Sequence, residues 1–263
     1  MLEFLHQIPT SAGLDWVKDD IYLRHFELER IGIMRRMISH QFKEGGCFTV
    51  LDFGYLHGLV PEFIHRAFPK SSFTVCDRPD SPVFKNQEYL ALIQSRPYLE
   101  LKPLDIAEVG ALGRKFDLII LGEIIEHLDP TRVASILETL RGMVAPGGML
   151  IVTTPNASGL YNNLMIMAGK ESVLLPPIPE PDMGYGHIHL WPPQTLRQTG
   201  EVKGWKMTQV VFYHGRESEM RERFGRMGRF YFGRTMLAAI ALLTRWKARL
   251  KGFYVMGFVA AGK

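Results

Sequence analysis

The chain has 263 residues and a mass of 30.0 kDa, with 46% hydrophobic and 22% charged residues and a mean hydropathy of −0.01. That balance excludes a disordered chain, a collagen-like fibre and a multi-span membrane protein. The net charge of +4 is unevenly placed: Arg216 to Lys251 carries eight Arg and two Lys against three Glu, a local +7 that leaves −3 for the remaining residues, so no nucleic-acid partner is expected.

In chain order, the segment from Asp15 to Phe42 places Ile21, Phe26, Leu28, Ile31, Met34, Ile38 and Phe42 at helical spacing between charges. This predicts a long amphipathic helix or a broken pair, stopped at Glu44-Gly45-Gly46. Strands and helices then alternate. Cys47 to Leu51 reads as a first strand, Leu59 to Phe68 as a helix and Ser72 to Cys76 as a second strand. A helix over Val83 to Gln94 leads to a third strand, Tyr98 to Leu101. Phe116 to Leu121 reads as a fourth strand, and its apolar run from Leu118 to Leu121 is the signature of a strand buried on both faces. Asp129-Pro130 is an N-cap and first-turn pair for a helix over Thr131 to Met143. Pro146-Gly147-Gly148 then turns into a fifth strand, Met149 to Thr153. A Pro- and Gly-rich stretch runs to Pro193, followed by a short helix near Gln194 to Gly200 and strands over Trp205 to Tyr213 and Phe253 to Ala260.

The alternation predicts a doubly wound α/β sheet. It divides the chain into an N-terminal helical segment (1–46), a core (47–154) and a remainder (155–263) that completes the same domain. Cys47 and Cys76 both fall in predicted strands, so two buried reduced thiols are expected. With an N-terminus that lacks a basic start and an apolar run, this favours the cytoplasm.

In such sheets ligands bind beyond the carboxyl ends of the strands, where strand order reverses. After the first strand come Asp52, Gly54, Tyr55, Leu56 and Gly58, glycines at a strand-to-helix turn that permit close backbone approach to a ligand. The spacing is neither G-x-G-x-x-G nor a P-loop, which sets a nicotinamide-dependent oxidoreductase aside. After the second strand, Asp77-Arg78 sets a carboxylate where ribose hydroxyls can donate to it. Asp105-Ile106 follows the third strand, and Gly122, Glu123, Glu126 and His127 follow the fourth.

This ordered set resembles the class I S-adenosylmethionine-dependent methyltransferases, particularly the broad small-molecule group. Their hydrophobic-hydrophobic-Asp-x-Gly-x-Gly-x-Gly turn matches at Asp52, Gly54 and Gly58. Their later acids match at Asp77 and Asp105, and their Glu-x-x-Glu-His stretch at Glu123 with Glu126-His127. The run from Leu140 to Leu150 resembles that family's approach to its fifth strand. The match covers Thr49 to Thr154, and His187 to Trp191 echoes a later piece. The resemblance implies a Rossmann-like seven-stranded sheet, mostly parallel with an antiparallel last strand. It also implies S-adenosylmethionine held by Asp52, Gly54, Tyr55, Gly58, Asp77, Arg78, Asp105, Ile106, Gly122 and Glu123. The family's middle glycine is Leu56 here, where a branched side chain would crowd the methionine part of the cofactor or force another backbone path. The alternative reading is therefore an inactive, methyltransferase-like binding or partner protein.

The reaction so implied is methyl transfer to a hydroxyl or other nucleophile of a small-molecule, sugar or lipid-linked acceptor. His187 is the candidate base, with His127 and His189 as competitors. His187 and His189 would share one face of a strand, but no further ligand stands out and no metal is expected. The loop from Asn156 to Pro193, with Tyr161, Met165, Met167, Tyr185 and Trp191, reads as an acceptor lid. Between Arg234 and Arg245 lies an uncharged stretch of ten residues, too short to span a bilayer. With Phe230, Tyr231, Phe232 and Trp246, the segment 230–251 is expected either to lie on an anionic membrane or to pack as a core helix or homodimer contact.

Overall fold

The computed structural model describes residues 2–12, 23–43, 45–167, 169, 186–213, 242–243 and 247–262. Its strands are β1 (Thr49–Phe53), β2 (Ser72–Asp77), β3 (Leu99–Pro103), β4 (Phe116–Gly122), β5 (Val144–Pro155), β6 (Trp205–Tyr213) and β7 (Phe253–Ala260). They form one sheet in the order β3-β2-β1-β4-β5-β7-β6. β7 runs antiparallel to both its neighbours, β5 and β6, and the other pairings are parallel. The fold is the Rossmann-like mixed sheet that the residue pattern and the family resemblance led us to expect.

The apolar run in β4 explains the layering. Leu118 and Ile120 face one core with Val50, Met149 and Ile151, while Ile119 and Leu121 face the other with Leu51, Leu150 and Val152. Successive side chains of a strand point to opposite faces, so a stretch of strand covered on both sides is apolar at successive positions, as Leu118 to Leu121 is. On the first face lie α1 (Leu2–Gln7), α2 (Leu28–Gln41), α3 (Leu59–Ala67) and α5 (Gln87–Gln94). On the second lie α6 (Pro130–Met143) and α8 (Pro193–Val202). The α6 start is built as the sequence indicates: Asp129 Oδ1 accepts from Thr131 N at 2.9 Å, and Pro130 follows the cap.

Several boundaries differ from the sequence-based expectation. β1 begins at Thr49, so Cys47 lies outside it and is exposed, and only Cys76 is buried. The helix expected over Val83 to Gln94 is two, α4 (Pro82–Lys85) and α5. They part at Asn86, whose side chain accepts from Tyr89 N at 2.9 Å and so starts a new helix. β5 begins at Val144 rather than Met149, because Pro146-Gly147-Gly148 is absorbed as an irregularity where its register on β4 shifts. The N-terminal pattern is described from Leu23, where a π-helical turn (Leu23–Glu27) runs into α2.

Of the expected lid, α7 (Leu160–Met167) and residues 186–193 are described; Tyr185 and the side chains of Tyr161 and Met165 lie outside the described residues. So does most of the basic segment, including Phe230, Tyr231, Phe232 and Trp246. Among the described residues no helix is long and apolar enough to cross a membrane.

Candidate functional site

β1 has β2 on one side and β4 on the other, so the chain reverses its winding there and leaves a crevice above the strand ends. The turn after β1 combines left-handed backbone positions with side-chain hydrogen bonds. Gly54 has φ +76°, and a Cβ there would stand 2.8 Å from Ile124 Cδ1. Gly58 has φ +67° at the N-cap of α3, and a Cβ there would run into the Tyr55 ring. Leu56 has φ +40°, a left-handed conformation usually left to glycine. Its side chain is 45% exposed at the cavity wall, and its carbonyl accepts from Tyr89 Oη at 2.8 Å. His57 is buried: Nδ1 accepts from Leu59 N at 3.3 Å, and Nε2 lies 3.4 Å from Glu27 Oε1.

Asp77, at the end of β2, ties this turn down. Its Oδ2 accepts from Tyr55 N at 3.0 Å and its Oδ1 from Arg78 N at 2.8 Å. Burial raises its pKa against those hydrogen bonds. Arg78 reaches outward to Asp80 at 3.2 Å. Asp105 caps the short 3-10 helix Ile106–Leu112 by accepting from Ala107 N at 2.8 Å. Asp52 is wholly enclosed below the turn, and its carboxyl is pushed up to about 8 by burial, with Asp77 adding to the shift while Phe53 N and Arg30 oppose it.

Glu27, the last residue of the π-helical turn, and Arg30 in α2 reach the same place and were not singled out from sequence. Arg30 is buried; its Nη2 donates to Glu27 Oε2 at 2.7 Å, and Nη1 lies 3.4 Å from Thr153 Oγ1. Gly122 makes room for it, since a Cβ there would stand 3.1 Å from Arg30 Nη1. Burial alone would raise the pKa of Glu27, but Arg30 and His57 beside it bring it far below the usual range. The Arg30 Nε is buried and has no acceptor among the described residues. Glu123 has φ +56°, with its N–H on Thr153 O at 3.0 Å and its Oε1 accepting from Thr153 Oγ1 at 2.7 Å. A non-glycine residue held there is a mark of over-determined local structure.

Beyond Glu123 the chain makes one 3-10 turn, Ile125–His127, rather than opening a helix directly, and α6 starts three residues later. Residues 186–191 lie across this turn. Ile188 N and His189 N both donate to Glu126 O, and Trp191 Nε1 donates to Ile125 O. His187 Nε2 comes within 4.0 Å of Glu126 Oε1, and the His127 and His187 rings meet edge to face at 4.9 Å. His127 is held near pKa 4 by burial, with the neighbouring His187 adding to the effect. His189 turns away to Trp191, with ring centroids 4.8 Å apart, so the expected His187–His189 pairing is replaced by His187 with His127.

These elements surround one cavity of about 850 Å³. Of the residues picked out from sequence, Asp52, Gly54, Tyr55, Asp77, Arg78, Asp105, Ile106, Gly122, Glu123, His127 and His187 line it. Gly58 is outside the lining and works through the start of α3. Leu56, His57, Glu27 and Arg30 line it as well.

A doubly wound sheet whose crevice carries an acid at the end of β2 and glycine-bent turns after β1 has the architecture of a nucleoside-cofactor-binding fold. The sequence profile of a family described as a methyltransferase domain matches residues 23–210, and the chain belongs to the class I S-adenosylmethionine-dependent methyltransferase family. Among solved structures it is similar to the N-methyltransferase NodS from Bradyrhizobium japonicum WM9 with S-adenosyl-L-homocysteine, at 14% identity and TM-score 0.56, over 94% of this chain and 91% of that one. Magnesium protoporphyrin IX methyltransferase from Synechocystis PCC 6803 is similar at 13% identity and TM-score 0.55, over 89% and 84% of the two chains. An S-adenosylmethionine-dependent methyltransferase from Archaeoglobus fulgidus is similar at 16% identity and TM-score 0.53, over 87% and 93%. No curated protein matches the sequence.

Proposed function

We propose that this chain transfers the methyl group of S-adenosylmethionine to a hydroxyl of a small-molecule acceptor, sugars and lipid-linked molecules included. The observation that carries the proposal is the convergence on one cavity of Asp77, the glycine-bent turn after β1 and the buried Arg30 Nε, which has no acceptor among the described residues. A buried guanidinium N–H without an acceptor is costly, and a ligand carboxylate is its natural complement. Arg30 therefore anchors the amino-acid end of the cofactor, and Asp77 takes the ribose hydroxyls. Asp105 and Ile106 border the base. Gly54, Tyr55 and Leu56 carry the backbone path beneath the sulfur. Asp52 and Glu123 close the floor, and a cation above them favours their ionised forms.

When bound, the cofactor supplies a methyl group on a positively charged sulfur, which an acceptor lone pair displaces. The protein's part is alignment and the acceptor's proton. His187 takes that proton, a role supported by the Glu126 carboxyl 4.0 Å from its Nε2, which can orient it. His127, held near pKa 4, stays neutral and serves as a hydrogen-bonding wall.

Calorimetric titration with S-adenosylhomocysteine tests the reading. One equivalent should bind the parent with micromolar affinity, and Asp77→Ala should weaken binding by about tenfold or more, the loss of one charge-assisted contact. No binding to the parent would sink the proposal, and unchanged binding in Asp77→Ala would move the cofactor elsewhere.

A further inference from the structure

We propose that Glu126, His127 and His187 form a site for a divalent transition-metal ion of the zinc class, at the acceptor end of the cavity. One donor atom from each of the three lies within 4.8 Å of the other two. Tetrahedral ligands about 2.0–2.1 Å from zinc stand roughly 3.3 Å apart, so the trio needs to close by about an ångström or more. His187 can supply that movement: its side chain is 27% exposed and lies in a stretch that is neither helix nor strand.

The other two ligands are already prepared. Glu126 is fully buried, with Oε2 accepting from Thr154 Oγ1 at 2.9 Å. Its Oε1 has no hydrogen-bond partner among the described residues and faces His187. A buried carboxyl with one oxygen held by a neighbouring hydroxyl and the other turned toward a histidine is the arrangement that orients a metal ligand. His127 Nδ1 lies 3.1 Å from Gly186 O, and a carbonyl can only accept. The proton therefore sits on Nδ1, so Nε2 is the nitrogen that would meet a metal.

Two imidazoles and one carboxylate suit zinc, iron or nickel better than magnesium or calcium, which prefer oxygen throughout. His127 and His187 line the cavity, so the remaining coordination positions open into it, toward an acceptor that offers a hydroxyl or paired oxygens. That last step rests on the methyl-transfer reading; the metal site does not. It also changes the task of His187, because a nitrogen that ligates a metal cannot take a proton.

The test is titration of the chelator-treated full-length protein with zinc, and separately with cobalt(II), whose visible absorption reports ligand number. Binding of S-adenosylhomocysteine to each sample is measured alongside. One equivalent of zinc should bind the parent, with affinity falling about tenfold or more in His187→Ala and Glu126→Gln while S-adenosylhomocysteine still binds. His187→Ala is decisive should Glu126→Gln unfold, since His187 lies outside the regular elements. Absence of a saturable single equivalent in the parent, or unchanged zinc affinity in His187→Ala, overturns the site. Zinc binding without S-adenosylhomocysteine binding upholds the metal site and removes the methyl-transfer reading.

Discussion

Leu56 shows what one residue decides in this turn. Its branched side chain stands where the family has glycine, yet the backbone keeps φ +40°, and the side chain lies half exposed on the rim. A left-handed conformation costs a non-glycine residue about 1–2 kcal/mol. Replacement by glycine relieves that strain, while the freer unfolded chain takes back about 0.4–1 kcal/mol. Leu56→Gly should therefore leave stability within about 1 kcal/mol of the parent and bind S-adenosylhomocysteine at least as tightly. Paired thermal melts and calorimetry would check this; weaker binding in the glycine variant would mean that the leucine contributes to the site. The departure from the family pattern was legible in the sequence. Its outcome was not, because whether a Cβ blocks the cavity depends on where Tyr89 and Ile124 hold the neighbouring backbone.

At the scale of elements, α2 and the turn before it carry the largest surprise. Their spacing marks Ile31, Met34 and Ile38 as the inward face, and the structure buries all three. It also buries Glu27 and Arg30, charges that any local pattern assigns to solvent. Their burial is decided by partners far along the chain: Thr153 on β5, and Gly122, whose missing side chain leaves room at the end of β4. Removing one member of a buried ion pair leaves the other uncompensated. Arg30→Met should cost about 3–5 kcal/mol in urea unfolding, and adding Glu27→Gln should restore part of that loss. A double variant no more stable than Arg30→Met would show that the pair does not act as a unit. The α6 cap behaves in the opposite way: Asp129-Pro130 is purely local chemistry, and sequence and structure agree on it to the residue.

For the whole molecule, buried acids gather in and beside the cavity. Burial raises the pKa values of Asp52, Asp77, Glu123 and Glu126. An acid whose pKa is higher folded than unfolded stabilises the fold most when protonated. The contribution of Asp52 is full below its ordinary 3.8 and is lost as pH rises toward about 8. Glu27 and His127 act the other way. Glu27 is depressed by its partners, and its contribution is lost only in strong acid. His127 is lowered from 6.5 to about 4, and its contribution is lost as pH falls through that interval. In the ligand-free protein the melting temperature should thus fall between about pH 6 and pH 8, and Asp52→Asn should flatten that fall. An identical slope in the variant would show that Asp52 does not titrate there.

The sequence by itself determined the alternation of elements, the strand that is buried on both faces, the helix caps and the carboxylates at the strand tips. Each of these depends on near neighbours in the chain, through periodicity, turn chemistry or a single residue's conformational range. Where the signal was local but finely balanced, boundaries moved: Cys47 fell outside β1, and Asn86 divided a helix. Only the tertiary structure brought Arg30 through the gap at Gly122 and laid His187 against Glu126 and His127. Those encounters join residues about 60 to 90 positions apart. Their energy comes from removing charge and lone pairs from water together, a quantity that no stretch of sequence holds alone.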